Sequence, residues 1–194
     1  MHTAFTEIAA FVVTFLYGSY FEWVFHRYMF HSPKLCFRTF KEHTLVHHQI
    51  YKGDETYHTH DDHPEKVAMD WWALAAMVGF HLPFFWLIEK LTGASIMVGA
   101  VAAIVVYYSL YESLHWMMHV PAAQRLLGRF RWFVFIDNHH HLHHKYMLSN
   151  LNVILPLADL TLGTMRVGEG RRYRLFGGRS RKSTSASERE KRAA

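Results

Sequence analysis

One cysteine, Cys36, stands in a chain of 194 residues. That scarcity excludes a disulfide framework, a cysteine-built zinc site and an iron–sulfur cluster within a single chain, each of which needs several thiols. Cys36 reads as a structural residue. The front of the chain lacks Lys and Arg up to Arg27. Its first apolar run therefore has no basic leader, and no small-residue cleavage site follows it, so it does not read as a signal peptide. There is no internal repeat. Ionisable groups are also scarce inside the long apolar runs, where His81 stands alone near a midpoint. That disfavours a transport pathway, which would need such groups stepping through the spans.

What is abundant is segregated. Half the residues (51%) are hydrophobic and 16% aromatic, yet 21 Lys/Arg and 17 His lie in blocks between the apolar stretches. Three runs are long enough for a bilayer, which takes ~20 helical residues: Ala4 to Phe25, Val67 to Leu91 and Ser95 to Met118. For the second, Asp62 or His63 suits the N-cap, Pro64 the first turn and Gly93 the left-handed position after the end. Pro83 is expected to bend it. Trp71 and Trp72 suit an interfacial belt. The short link KLTGAS makes helices two and three an antiparallel hairpin. Lys90 is the one basic residue at that link, and the other twenty lie on the opposite side. The positive-inside rule makes that side cytoplasmic. Gln124 to Val134 reads either as an amphipathic interfacial helix or as a short cytosolic helix packed on the rest. Residues 1–176 read as one membrane domain, and 177–194 as a basic, disordered tail near lipid headgroups. The charge sits in that tail, so nucleic acid is not an expected partner.

Every histidine cluster falls on the basic side. HRYMFH puts His26 and His31 five apart, so the helix is expected to end between them. HTLVHH sets His43 four before the pair His47 and His48. HWMMH separates His115 and His119 by four, and HHLHH sets His140 three before His143 and His144. Residues three or four apart share a helix face, so three clusters aim two or more imidazoles at one point. Imidazole suits iron, zinc, copper or nickel, and about ten ligands suit two ions better than one. Glu22, Glu112 and Asp137 precede His26, His115 and His140 by four, three and three. There they could accept from the outer ring nitrogens. Within DNHHHLHHKY, His140, His143 and His144 fall within about 100° of arc and His139 within about 40° of His143, whereas His141 points away.

The set H-x4-H, H-x3-H-H, H-x3-H, H-x2-H-H resembles the fatty acid hydroxylase/sterol desaturase superfamily of integral-membrane di-iron enzymes. ESLHWMMH resembles the acid-x-x-His-x-x-x-His box of the fatty acid hydroxylases. NLNVILPLADLTLGT, Asn150 to Thr164, is similar to the segment that follows the last box there. The resemblance covers roughly Phe21 to Thr164. It implies an all-α membrane fold with two Fe ions (Zn as a substitute in isolated protein) on His26, His31, His43, His47, His48, His115, His119, His140, His143 and His144. It favours His140 over His139, which becomes a supporting residue, and implies no catalytic group beyond the metal ligands. Better-known members have four spans where three are read here. One crossing is then missing or replaced by interfacial helices. No cytochrome-like domain is fused, so electrons are expected from a separate cytochrome, ferredoxin or reductase.

The implied reaction is O2-dependent hydroxylation of a lipid C–H bond. Desaturation, sterol methyl oxidation and carotenoid hydroxylation are alternatives at the same kind of site. The opening box also resembles that of carotenoid ring hydroxylases. A metal-binding or storage protein is the non-enzyme alternative. The loop GDETYHTHDDHPEK, with His58, His60 and His63, reads as solvated and helix-capping rather than as a source of ligands or a lid. His81 reads as structural, with a cavity role as the sharper option.

Overall fold

A computed structural model describes residues 2–58 and 67–168. Among the described residues every regular element is helical. In chain order these are α1 His2–Phe25, a π-helical extension π1 His26–Phe30, α2 Phe37–Phe40, π2 Lys41–His47, α3 His48–Ile50, a 3₁₀ turn Glu55–Tyr57, α4 Ala73–Thr92, α5 Met97–His119, α6 Pro121–Leu127, α7 Arg131–Lys145 and α8 Leu157–Thr161.

Three helices are long and apolar enough to cross a membrane: Thr3–Phe30, Ala73–Thr92 and Met97–His119. At about 1.5 Å per residue the shortest reaches ~30 Å, the thickness of a hydrocarbon core. Their outer faces are apolar and bare, with Phe5, Val13, Phe84 and Leu91 all exposed. α5 lies between the other two and packs on both. Small residues set the closeness of α1 and α5. A Cβ on Gly99 would stand 1.9 Å from the Glu7 carbonyl oxygen, and one on Gly18 2.6 Å from the Tyr107 ring. Close approach through glycine suits helix packing in lipid, where dispersion rather than water expulsion drives association. Two carboxylates cap the start of α5. Glu7 accepts from the Gly99 N–H (2.6 Å), and Glu89 from those of Ile96 and Met97 (2.8 and 2.9 Å).

Several boundaries differ from the sequence expectation. The first span does end between its histidines, at Phe30 with His31 at the C-cap, but its last turn is π-helical. The second starts at Ala73, with Trp72 at the N-cap. The residues ahead of it are drawn elsewhere: Met69 N–H donates to Glu112 (3.0 Å) and Asp70 pairs with Arg38 (2.8 Å). Asp62, His63 and Pro64 lie outside the described residues, as does 177–194. Gly93 does occupy the left-handed region (φ 68°). α4 runs through Pro83 as one helix. The 124–134 stretch is not one helix. Gly128 closes α6 by donating to the Gln124 carbonyl, and α7 then buries Phe133 and Ile136 while Leu126 and Trp132 stay exposed.

Candidate metal centre

The ten histidines gather into two groups of five: His26, His31, His43, His48 and His143; and His47, His115, His119, His140 and His144. Within a group the ligand atoms all lie within 4.8 Å of one another. An imidazole nitrogen binds a first-row ion such as zinc at ~2.0–2.1 Å, so opposite donors sit about 4.2 Å apart. Each group is thus already nearly the size of a coordination sphere. All ten are buried except His31, which is partly so. The groups adjoin, with the His48 and His144 rings stacked at 4.3 Å.

Two π-helical turns create the first group. The His31 N–H donates to the His26 carbonyl (3.1 Å), closing an i to i+5 ring, and the two imidazoles stack 5.0 Å apart at 15°. The His48 N–H likewise donates to the His43 carbonyl. Five-residue spacing therefore becomes one turn, and such π segments recur at functional sites. This revises the α-helical reading of HTLVHH. His43 and His48 share a group, and His47 turns into the other. On α7 the same division holds: His140 and His144, one α-turn apart, face the second group, while His143 faces the first.

Hydrogen bonds fix which nitrogen faces inward. The Nδ1–H groups donate from His26 to the Leu151 carbonyl (2.6 Å), from His143 to Ser149 (3.0 Å), from His119 to Tyr57 (2.8 Å) and from His144 to Tyr51. His31 Nδ1 donates to the Thr44 hydroxyl (2.9 Å), whose own proton goes to the Phe30 carbonyl (2.7 Å). A neutral imidazole with its proton on Nδ1 presents a bare lone pair at Nε2. His31 Nε2 and His143 Nε2 nevertheless face each other at 3.1 Å. Two lone pairs that close repel unless a cation lies among them. Protonation is a poor remedy. Burial, then the neighbouring His143, pushes His31 down to about 2, and burial also pushes His143 down to about 4. His43, His48, His140 and His144 are lowered in the same direction by burial and by neighbouring imidazoles. A neutral, convergent, all-nitrogen donor set of this kind fits a borderline transition-metal ion.

The expected carboxylate partners act differently. Glu22 accepts from Tyr107 (2.7 Å), Val153 N–H (2.6 Å) and Asn152 (3.2 Å), not from His26. Glu112 takes the Met69 N–H, and its Oε1 is buried without a hydrogen-bond partner. Asp137 accepts from Gln124 (2.9 Å) and Tyr57 (3.4 Å), while His140 Nδ1 has no hydrogen-bond partner. The reason is geometric. The His26 Nδ1–H meets the Leu151 carbonyl of a neighbouring segment, while the N–H groups of Val153 and Met69 claim Glu22 and Glu112 and the side chains of Gln124 and Tyr57 claim Asp137. His139 is in neither group; its Nε2 donates to Asp159 (3.0 Å).

Asp159 is the residue that spacing alone missed. It also accepts from Leu151 N–H (2.9 Å), Asn152 N–H (2.8 Å) and the Thr164 hydroxyl (2.7 Å). Burial opposes its charge, but the bonds from His139, Thr164 and Asn152 outweigh that and hold its pKa below the usual carboxylate range. It thereby shapes the loop whose Leu151 carbonyl orients His26. Its signal was the resemblance of the Asn150 to Thr164 segment. His58 stands outside both groups, against Tyr57; His60 and His63 lie outside the described residues. His81 is buried within α4, donating to the Met77 carbonyl (2.7 Å) and accepting from Tyr17 (3.2 Å).

A cavity of about 380 Å³ reaches His43, His47 and His115 from the side of α2 and the segment before α4. No protein-family model, curated protein or solved structure matches this chain.

Proposed function

We propose that the chain is a membrane-embedded di-iron oxidoreductase that hydroxylates a C–H bond of a lipid with O2. The observation that carries the metal is the convergence of five ring nitrogens in each group within 4.8 Å of one another, His31 Nε2 and His143 Nε2 among them at 3.1 Å. The two five-histidine groups would hold one ion each. Iron and the reaction class rest on the resemblance to the fatty acid hydroxylase/sterol desaturase superfamily.

An alkyl C–H bond gives acids, bases and nucleophiles no purchase, so its oxidation draws on metal chemistry. Bound iron would supply the activation of O2. Overall, R–H and O2 with two electrons and two protons become R–OH and water, the electrons coming from a separate one-electron donor protein. The chain's residues do the rest. The Nδ1–H bonds to Leu151, Ser149, Tyr51 and Tyr57 hold the rings in one tautomer and orientation, which also raises ligand basicity. Phe30 stacks on His43 and Tyr111 lies against His115, both within a buried apolar cluster that includes Met118 and Phe133. The positive-inside pattern supports a cytoplasmic position for the histidine end.

The test compares lipid extracts from cells expressing the protein or its His143→Ala variant. A gain of one oxygen in one lipid class, absent with the variant, is the expected result. Loss of two hydrogens would assign a desaturase. No lipid change from iron-loaded protein supplied with a donor would contradict the reading.

A further inference from the structure

A second cavity, about 70 Å³, lies among α1, α4 and α5 and touches His26. Its walls include Phe21, Phe25, Met77 and Ile104. His81 closes it deep in the spans. Both ring nitrogens are occupied, by the Met77 carbonyl and the Tyr17 hydroxyl, so that end offers no polar handle. Phe30, Met69 and Tyr111 line this cavity and also the larger one, forming the wall between them. Met69 is an unbranched thioether with three rotatable bonds, well suited to swing aside.

The outer end of the larger cavity has a different character. Arg38, Glu42 and Asp70 line it. The one guanidinium is already paired with Asp70 at 2.8 Å, with the two side chains 66% and 46% exposed. Glu42 adds a second carboxylate. Trp71 (93% exposed), Leu35 (69%) and Phe37 (61%) stand bare on the segments that form this mouth. Exposed tryptophan beside apolar spans belongs at the headgroup level of a bilayer.

We propose that the two cavities form one seat for an uncharged, hydroxyl-headed long-chain lipid. Its head lies among Arg38, Glu42 and Asp70, and its tail passes Met69 into the cavity closed by His81. The chain then crosses His43, His47 and His115, and the carbon presented to them lies within the chain rather than at its terminal methyl. A hydroxyl can donate to a carboxylate and accept from Arg38. A fatty carboxylate or phosphate would meet two carboxylates and a guanidinium already engaged. The identity of the reacting carbon rests on the oxygenase reading; the seat does not.

The experiment uses the full chain in phosphatidylcholine vesicles with two photoreactive probes of equal length. One is a long-chain alcohol carrying a diazirine near its tail end, the other the corresponding carboxylic acid at pH 8. Crosslinked peptides are mapped by mass spectrometry. The alcohol should label the Phe21 and Met77 peptides several-fold more than the acid. The double change Glu42→Gln with Asp70→Asn should narrow that ratio towards one. Met69→Trp should remove tail labelling of Met77, with Met69→Leu as the control that retains it. If Met69→Trp fails to fold, the double variant carries the test. Equal or stronger labelling by the acid in the unaltered protein would overturn the proposal. So would labelling confined to the bare outer residues Leu82 and Phe84. Iron content and turnover are measured separately on the same protein. Protein that holds no iron yet labels as expected would sink the oxygenase reading and leave the seat standing. Active protein without alcohol preference would do the reverse.

Discussion

His139 and His140 are adjacent on α7 and play opposite parts. His140 Nε2 points into the second group, 3.0 Å from His144 Nε2, whereas His139 Nε2 donates to Asp159. His140→Ala should remove roughly one ion per chain. His139→Ala should keep the metal and cost about 1–3 kcal/mol, because it leaves a buried carboxylate short of a donor. Metal-to-protein ratios and thermal unfolding read the two effects separately. Acid should act through the same rings. His31 and His143 titrate below the ordinary histidine value of 6.5 when folded, at about 2 and about 4. The unfolded chain therefore binds more protons as pH falls below 6.5, and the stabilisation of the neutral rings, complete above that value, is lost progressively towards pH 4. Metal-free protein should melt at lower temperature at pH 5 than at pH 8; an unchanged or higher melting temperature at pH 5 would contradict the burial of these rings. The sequence patterns named all ten converging residues, because histidine is rarely gathered so densely without a site. They could not assign the carboxylates, since groups distant in sequence take them: the Leu151 carbonyl takes the His26 Nδ1 proton, and Val153, Met69 and Gln124 donate to Glu22, Glu112 and Asp137.

At the scale of elements, the long apolar helices were legible from length and composition, and the end of α4 from Gly93. The π turns were not. A gap of five reads as more than one α-turn, so His26 and His31 looked separated, and only the i to i+5 bond from His31 to His26 brings them together. The same geometry splits HTLVHH between both groups. Deleting Leu45 from π2 would turn the His43 to His48 gap from five into four. The expected outcome is loss of the first group's ion with retention of the hairpin α4–α5, read by metal analysis alongside circular dichroism. Full metal content in the deletion would show that the π turn is not what assembles the group. The start of α4 was misplaced because Met69 and Asp70 find partners outside their own helix, on Glu112 and Arg38.

Across the whole molecule, three apolar helices carry polar chemistry at one end. π1, at the end of α1, delivers His26, α5 delivers His115 and His119, and α7 lays His140, His143 and His144 across them. Neither group can be built by one element, so the site should assemble only when the spans are docked. In the proposed reading each group holds its own ion. The most direct measurement is the metal-to-protein ratio of the purified chain beside those of His143→Ala and His144→Ala, which strike different groups. About two irons are expected in the unaltered chain and about one in each variant. A metal-free chain, or two variants that keep the full complement, would contradict that reading.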